Sequence, residues 1–415
     1  MTQQGQTARR AAERAARLSY GRLIAFLAAR TGDVAGAEDA LGDALVAALK
    51  AWPASGVPDR PEAWLLTVAR RRILDRQRSQ TTAEAHRAHL VLLDEERQAM
   101  RAQTGFPDER LKLMFVCAHP AIDEKARTPL MLQLVLGLDV ARMASAFVMA
   151  PATLGQRLVR AKAKIKDAGI GFAVPEPAVF RERMGSVLDA VYAAYTVGWD
   201  GAHGEDAKAA ALAAEAVWLG RLIVHLVPDD PEASGLLALM LLCESRRAAR
   251  RDPETGAFIA IAEQDVAMWD DGMADEAESL LRRAGEAERP GRYQLEAAIQ
   301  AVHADRRRSG SIRWDEIVLL YRGLVALSPT AGALCGLAAA LAEKGDVEGA
   351  HALLSDAAIP NRERYQPYWA TRAHIEALGG DRQAAIESYR RAASLSTDPA
   401  VRTHLDVRRI ALADG

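Results

Sequence analysis

Residues 61–79 read PEAWLLTVARRRILDRQRS, and the order of residue types within them sets the class of the fold. Pro61 suits a first helical turn, where its missing N–H costs nothing. Trp64, Leu65, Val68, Ile73 and Leu74 then recur at helical spacing and predict one buried face. The rest of the stretch carries Arg70, Arg71, Arg72, Arg76 and Arg78, five arginines in nine residues. This is an amphipathic helix with a basic side. The same period governs the chain at large: alanine and leucine dominate, aromatic residues make up 5%, and β-branched alternation is nearly absent. The expected fold class is all-α.

Upstream, Leu23, Ile24, Leu27, Leu41, Leu45, Val46 and Leu49 form the apolar positions of two helices separated by a TGD turn at 31–33. The second of these presents Glu38, Asp39 and Asp43 near its start, where the helix dipole favours anions. The WPASGVPDRP segment at 52–61 reads as a loop. Downstream, 79–103 is polar and reads as a linker, and 108–126 and 127–138 each open a helix. DVARMASAFVM, a turn at Ala150-Pro151, and ATLGQRLVRAKAKIKDAG then give helix, turn, helix. Leu154, Leu158, Val159 and Ile165 are expected inward, and Gln156, Arg157, Arg160, Lys162, Lys164 and Lys166 outward. This is the layout in which a second helix enters the major groove, arginine and glutamine read base edges, and lysines neutralise phosphates.

Charge follows the same division. The 415 residues carry a formal net charge of −2, which alone argues against a surface that is basic throughout. Residues 1–170 hold 26 Lys and Arg against 18 Asp and Glu, and residues 171–415 hold 27 against 37. A front half of +8 suits a polyanion and a back half of −10 does not. Within the back half, Gly345, Ala350, Leu354 and Ala357 recur 35 residues later as Gly380, Ala385, Tyr389 and Ala392. An earlier set with the same internal spacing is Gly272, Ala277, Leu281 and Ala284, and a weaker one is Ile317, Tyr321, Leu324 and Pro329. A turn glycine, small residues where helices touch and a large one between them, at a period near 34, predict tetratricopeptide-type helical hairpins. The segments 246–252 (RRAARRD) and 263–270 (EQDVAMWD) read either as the lining of a ligand pocket or as sites of helix-end salt bridges.

Several functions are excluded at this level. Cys117, Cys243 and Cys335 lie far apart with no CxxC spacing and predict buried thiols, neither a disulfide framework nor a metal site. No apolar run approaches the roughly 18 to 20 residues of a membrane span, and the N-terminus lacks a signal-peptide pattern. A cytoplasmic protein without membrane association is expected. No phosphate loop, nucleophile elbow or spaced His/carboxylate cluster is present, so neither catalysis nor a cofactor is expected.

The order of these pieces resembles the sigma-70 family of bacterial RNA polymerase initiation factors, and in particular its small extracytoplasmic-function (ECF) group. AEDALGDALVAALKAW followed by a loop and WLLTVARRRILDRQR is similar to region 2 of that group; LVLGLDVARMASAFVMAPATLGQRLVRAKAKI is similar to its region 4. The remainder is similar to the tetratricopeptide-bearing extension of one ECF subgroup. The resemblance implies region 2 at 1–80, a linker at 81–107, a region 4 helix-turn-helix at 108–170, a second linker at 171–182 and a helical-repeat extension at 183–415. It implies two partners, core RNA polymerase and promoter DNA. Asp39, Leu41, Asp43, Leu45 and Lys50 would dock on the polymerase. Val57, Asp59 and Arg60, in the 54–60 loop, would engage the −10 element with Arg70, Arg71, Arg72 and Arg78. Thr153, Gln156, Arg157, Arg160, Lys162 and Lys164 would face the −35 element. Gly42, Asp43 and Gly155 depart from the residues common in that group. The acidic extension is expected to regulate, through another protein or an intramolecular contact, the alternative being a stabilising cap. The competing reading is a helix-turn-helix regulator with a repeat sensor domain that does not replace a sigma factor; it leaves the block at 61–79 without a role.

Overall fold

The structure is a computed structural model that describes residues 3–78, 109–146, 149–200, 207–356, 359 and 361–414. The expected linker at 81–107 lies outside the described residues. The described residues are helical throughout apart from turns and one isolated bridge between Arg251 and Phe258. They divide into two compact units between Gly198 and Trp199.

The front unit contains α1 (Gln3–Thr31), α2 (Val34–Ser55), α3 (Pro61–Arg78), α4 (Arg110–Cys117), α5 (Glu124–Leu136), α6 (Val140–Ala146), α7 (Pro151–Asp167) and most of α8 (Pro177–Asp200). In α1, Leu23, Ile24, Ala25, Phe26, Leu27 and Ala28 are all buried in succession. A helix is apolar all round only when it is covered all round, and α1 is packed by α2, α3, α4 and α5. It is the axis of the unit. At Gly21 the approach is closest: a Cβ there would stand 1.7 Å from the Val135 carbonyl oxygen of α5. The two front segments, read from sequence as separate domains on a linker, thus share one core. Asp33 starts α2 by accepting from the Gly36 N–H at 2.8 Å. The buried side of α2 is Val34, Ala37, Ala40, Leu41, Ala44, Ala48 and Trp52, mostly alanine, which lets neighbouring helices come close.

The back unit runs through α9 (Ala207–Leu226), α10 (Pro231–Ser245), α11 (Asp271–Gly285), α12 (Arg292–Ala304), the short α13 (Arg306–Ser309), α14 (Trp314–Leu327), α15 (Ala331–Lys344), α16 (Val347–Asp356), α17 (Gln366–Leu378), α18 (Arg382–Leu395) and α19 (Pro399–Asp414). Its most enclosed helix is α10, which α9, α11 and α12 surround. Glu232, in the first turn of α10, accepts from the Tyr293 and Gln294 N–H groups at 3.0 and 3.1 Å and so satisfies orphan donors of α12. The repeat glycines Gly345 and Gly380 adopt φ +102° and +80° between successive helices, a conformation glycine takes without strain. Ala350 and Ala385 are fully buried, with Leu354 and Tyr389 beside them in the cores. The copy at 272–284 differs: Gly272 lies inside the first turn of α11, and Leu280, not Leu281, is buried. Of the two charged segments, Arg247 pairs with Glu244 at 2.6 Å, while Arg251 and Glu263 pair with Asp398 and Arg408 of the chain's end.

Gly21→Ala forces α1 and α5 apart and is expected to cost about 1–3 kcal/mol, read as a lowered melting temperature by circular dichroism. His303, on α12, is buried, and desolvation, followed by the charges of Arg246 and Arg306, pushes its pKa down to about 4. The unfolded chain, with an ordinary histidine near 6.5, therefore binds more protons between these values, and stability falls as pH drops through that window. Between pH 7 and pH 5 the loss is about 2 kcal/mol. Urea denaturation at the two pH values measures it, and His303→Gln should flatten the difference.

Candidate functional site

The outward side of α2 is built from what its alanine-rich side leaves over. Asp39, Gly42, Asp43 and Lys50 are exposed, and so are Val46 (50%) and Leu49 (46%). The hydrophobic pattern alone places these two with the core; the helix instead turns its small residues to α1 and α3, because close approach favours alanine there. Leu45 is half-buried. Leu41 is 1% exposed and is a core residue, so it is not available for docking as the resemblance implies. Asp39 and Asp43 both hold Arg76 of α3, each at 3.2 Å. The result is a carboxylate pair, a guanidinium between α2 and α3, and two apolar side chains in water.

The loop after α2 is fixed from below. Gly56, at φ +83°, closes the helix by donating to the Trp52 carbonyl, and Trp52 meets Trp64 edge-on with centroids 5.5 Å apart. Asp59 and Arg60 are exposed on this loop and Val57 is half-buried. On α3, Arg71 and Arg72 are exposed beside Arg76. Arg70 is not: it is 8% exposed, with its guanidinium 5.0 Å from the centre of the Phe26 ring, a stem and cation packed on the core of α1. It is therefore no part of a surface that guides a strand. Arg78 ends α3, and its side chain lies outside the described residues. The buried set of α3 is Leu65, Leu66, Ala69 and Ile73, with Trp64, Val68 and Leu74 half-buried at its margins.

The second basic helix, α7, begins at Pro151 and packs on α6, α5 and α2. Leu154, Leu158, Ala161 and Ile165 are its spine, while Val159, expected inward, is 66% exposed. Thr153, Gln156, Arg160 and Lys164 are exposed and Arg157 is half-buried. Arg157, Arg160 and Lys164 border an open groove of about 410 Å³ against Ala121, Ile122, Asp123 and Ala126. Lys162 differs from its neighbours. It pairs with Glu38 of α2 at 2.6 Å, with both side chains largely buried, so it serves the packing of α7 on α2 and does not face outward. One turn on, Lys166 pairs with Asp33 at 2.8 Å. Tyr20 donates to the same Glu38 at 3.1 Å, and burial, then the Glu38 charge, raises its pKa. The two lysine ties join residues more than a hundred positions apart, and no local sequence signal announces them. Gly155 meets no close neighbour, so close packing does not explain it.

Among the described residues no group of three or more His, Cys, Asp and Glu could hold a metal ion, and no helix is long and apolar enough to cross a membrane. Cys117 and Cys335 are buried, and burial raises both thiol pKa values.

Comparison with known proteins matches α1 to α3 independently. The sigma-70 region 2 model matches residues 16–82, and a family of unknown function, DUF6596, matches residues 183–285. An uncharacterized protein of Rhizobium meliloti (strain 1021) is 36% identical over 338 residues, covering 80% of this chain and 79% of its own length. No solved structure matches the chain. With that coverage on both sides, the chain belongs to one family with the rhizobial protein, and it carries a sigma-70 region 2 domain ahead of a DUF6596 domain.

Proposed function

We propose that this protein is an RNA polymerase sigma factor of the ECF type, which directs core polymerase to promoters and carries its own helical-repeat regulatory half. The observation that carries the reading is the outward side of α2. Val46 and Leu49 stand exposed between Asp39, Asp43 and Lys50 within the segment matched as region 2. Apolar side chains framed by charge on a helix suit a protein partner, with the apolar pair giving affinity and the charges giving register. Asp39, Asp43, Leu45 and Lys50 then meet the polymerase, and Leu41 supports them from within.

The DNA-facing parts follow from the same unit. Arg71 and Arg72, with Asp59 and Arg60 on the adjoining loop, suit a separated −10 strand, because exposed guanidiniums neutralise phosphates and stack on unpaired bases. Thr153, Gln156, Arg157, Arg160 and Lys164 along α7 suit the −35 duplex. A regulator that merely bound DNA would use α7 and leave the region 2 helices idle, so the sigma reading accounts for more of the chain. The protein acts in the cytoplasm, without catalysis of its own. The back half, acidic and built of tetratricopeptide-like hairpins, sets the activity of the front half.

Transcription reconstituted with core polymerase tests this. The full chain is expected to direct a promoter-specific transcript. Val46→Asp and Leu49→Asp each place a charge in the apolar contact and should lower core binding at least about tenfold with an unchanged circular dichroism spectrum. A chain that binds core no better than these variants, or yields no specific transcript, overturns the reading. For the back half, a chain ending at residue 198 should change promoter output in a reporter strain; unchanged output removes the regulatory part alone.

A further inference from the structure

A cavity of about 220 Å³ opens in the back unit between α16, α17 and Arg362, bordered by His351, Leu354, Ser355, Arg362, Tyr368, Arg372 and Ile375. Helical spacing assembles it. His351, Leu354 and Ser355 are at i, i+3 and i+4 on α16, and Tyr368, Arg372 and Ile375 are at i, i+4 and i+7 on α17, so each helix gives one face. Arg362 comes directly after Asn361, which holds a left-handed φ of +52°. The floor is apolar, since Leu354 and Ile375 are 3% and 1% exposed. Around it stand two guanidiniums, a hydroxyl, a phenol and an imidazole; no described lining residue is a carboxylate, although Arg362 has the Glu363 carboxylate 3.8 Å from its Nε.

One guanidinium is held from behind. Arg372 donates through Nε to Glu376 at 2.7 Å, and Glu376, itself 2% exposed, accepts from the Ser388 hydroxyl at 2.6 Å. The Arg372 guanidinium also lies 5.5 Å from the centre of the Trp369 ring. Burying a carboxylate is costly unless it is fully bonded, and here the bonded carboxylate fixes the direction of a cation that borders a cavity. Positioning of a binding group by a second layer of hydrogen bonds is how recognition sites are pre-organised. The volume lies below the roughly 300–1,000 Å³ of sites for drug-sized ligands, which excludes a large occupant.

We propose that this cavity binds a small organic acid, its carboxylate between Arg362 and Arg372 and its short apolar part on Leu354 and Ile375. A planar guanidinium fork matches a carboxylate, and Tyr368 and His351 supply further polar groups, while the Ser355 hydroxyl donates to the His351 carbonyl at 2.9 Å. The apolar floor favours an acid with a hydrocarbon portion over a bare inorganic anion. The site is independent of the polymerase reading, because it lies wholly in the back unit and its occupancy is measured without transcription.

Isothermal titration of the full chain at constant ionic strength is the test, with butyrate, benzoate and inorganic phosphate as probes. Saturable binding of butyrate or benzoate is expected, tighter than that of phosphate and weakened at least about tenfold by Arg372→Gln and by Arg362→Gln. Because Arg372→Gln leaves Glu376 with one partner fewer and can disturb folding, the exposed Arg362→Gln variant carries the decision. Absence of saturable binding by both acids, equal affinity in wild type and Arg362→Gln, or tighter binding of phosphate overturns the proposal.

Discussion

The front unit depends on how closely α1 and α5 approach at Gly21. Only a residue without a Cβ lets the α1 backbone lie against the Val135 carbonyl. α2, α3, α4 and α5 all pack on this same α1. Once the axis is set, α7 reaches α2, and Lys162 and Lys166 find Glu38 and Asp33. The segment matched as sigma-70 region 2 and the basic helix α7 thereby pack in one unit. Their ion pairs are of two kinds: the Lys162 pair is sheltered, whereas the Lys166 pair is more open to water and so weaker in its effect.

The back unit is built differently: one core cluster gathers residues of α12, α14, α15, α16 and α17, and a smaller one gathers residues of α17, α18 and α19. Gly345 and Gly380 reverse the chain at equivalent points, and Ala350 and Ala385 allow the helices they start to touch their neighbours. Successive helices from α15 to α19 pack on one another, and seams remain between them. The cavity between α16 and α17 is one such seam, lined by cations where much of the surrounding half is acidic.

Much of this was legible in the sequence for a physical reason: helical period and turn chemistry are local. The start of α3 at Pro61, the break at 31–33 and the repeat glycines are all decided within a few residues of themselves. The buried spine of α7 at Leu154, Leu158 and Ile165 was equally readable. The candidate surface was readable only as a set of helices. Arg70 and Arg71 are adjacent and chemically identical, yet one packs on Phe26 and the other is exposed. Lys162 and Lys164 divide in the same way.

The sequence by itself determined an all-helical chain, a basic front and acidic back, the start of α3 at Pro61 and the turn glycines Gly345 and Gly380, but read 52–61 as a loop where α2 in fact runs on to Ser55. Tertiary structure decided which side of each helix faces a neighbour. It drew Leu41, Arg70 and Lys162 inward and left Val46, Leu49 and Val159 exposed. The cause is that alanine is too small to register strongly in a hydrophobic pattern but permits the closest helix contacts. The true buried face of α2 is thus rotated from the one its larger residues suggest. Charge pairs such as Lys162 with Glu38 exist only after distant helices meet, and periodicity carries no information about that meeting.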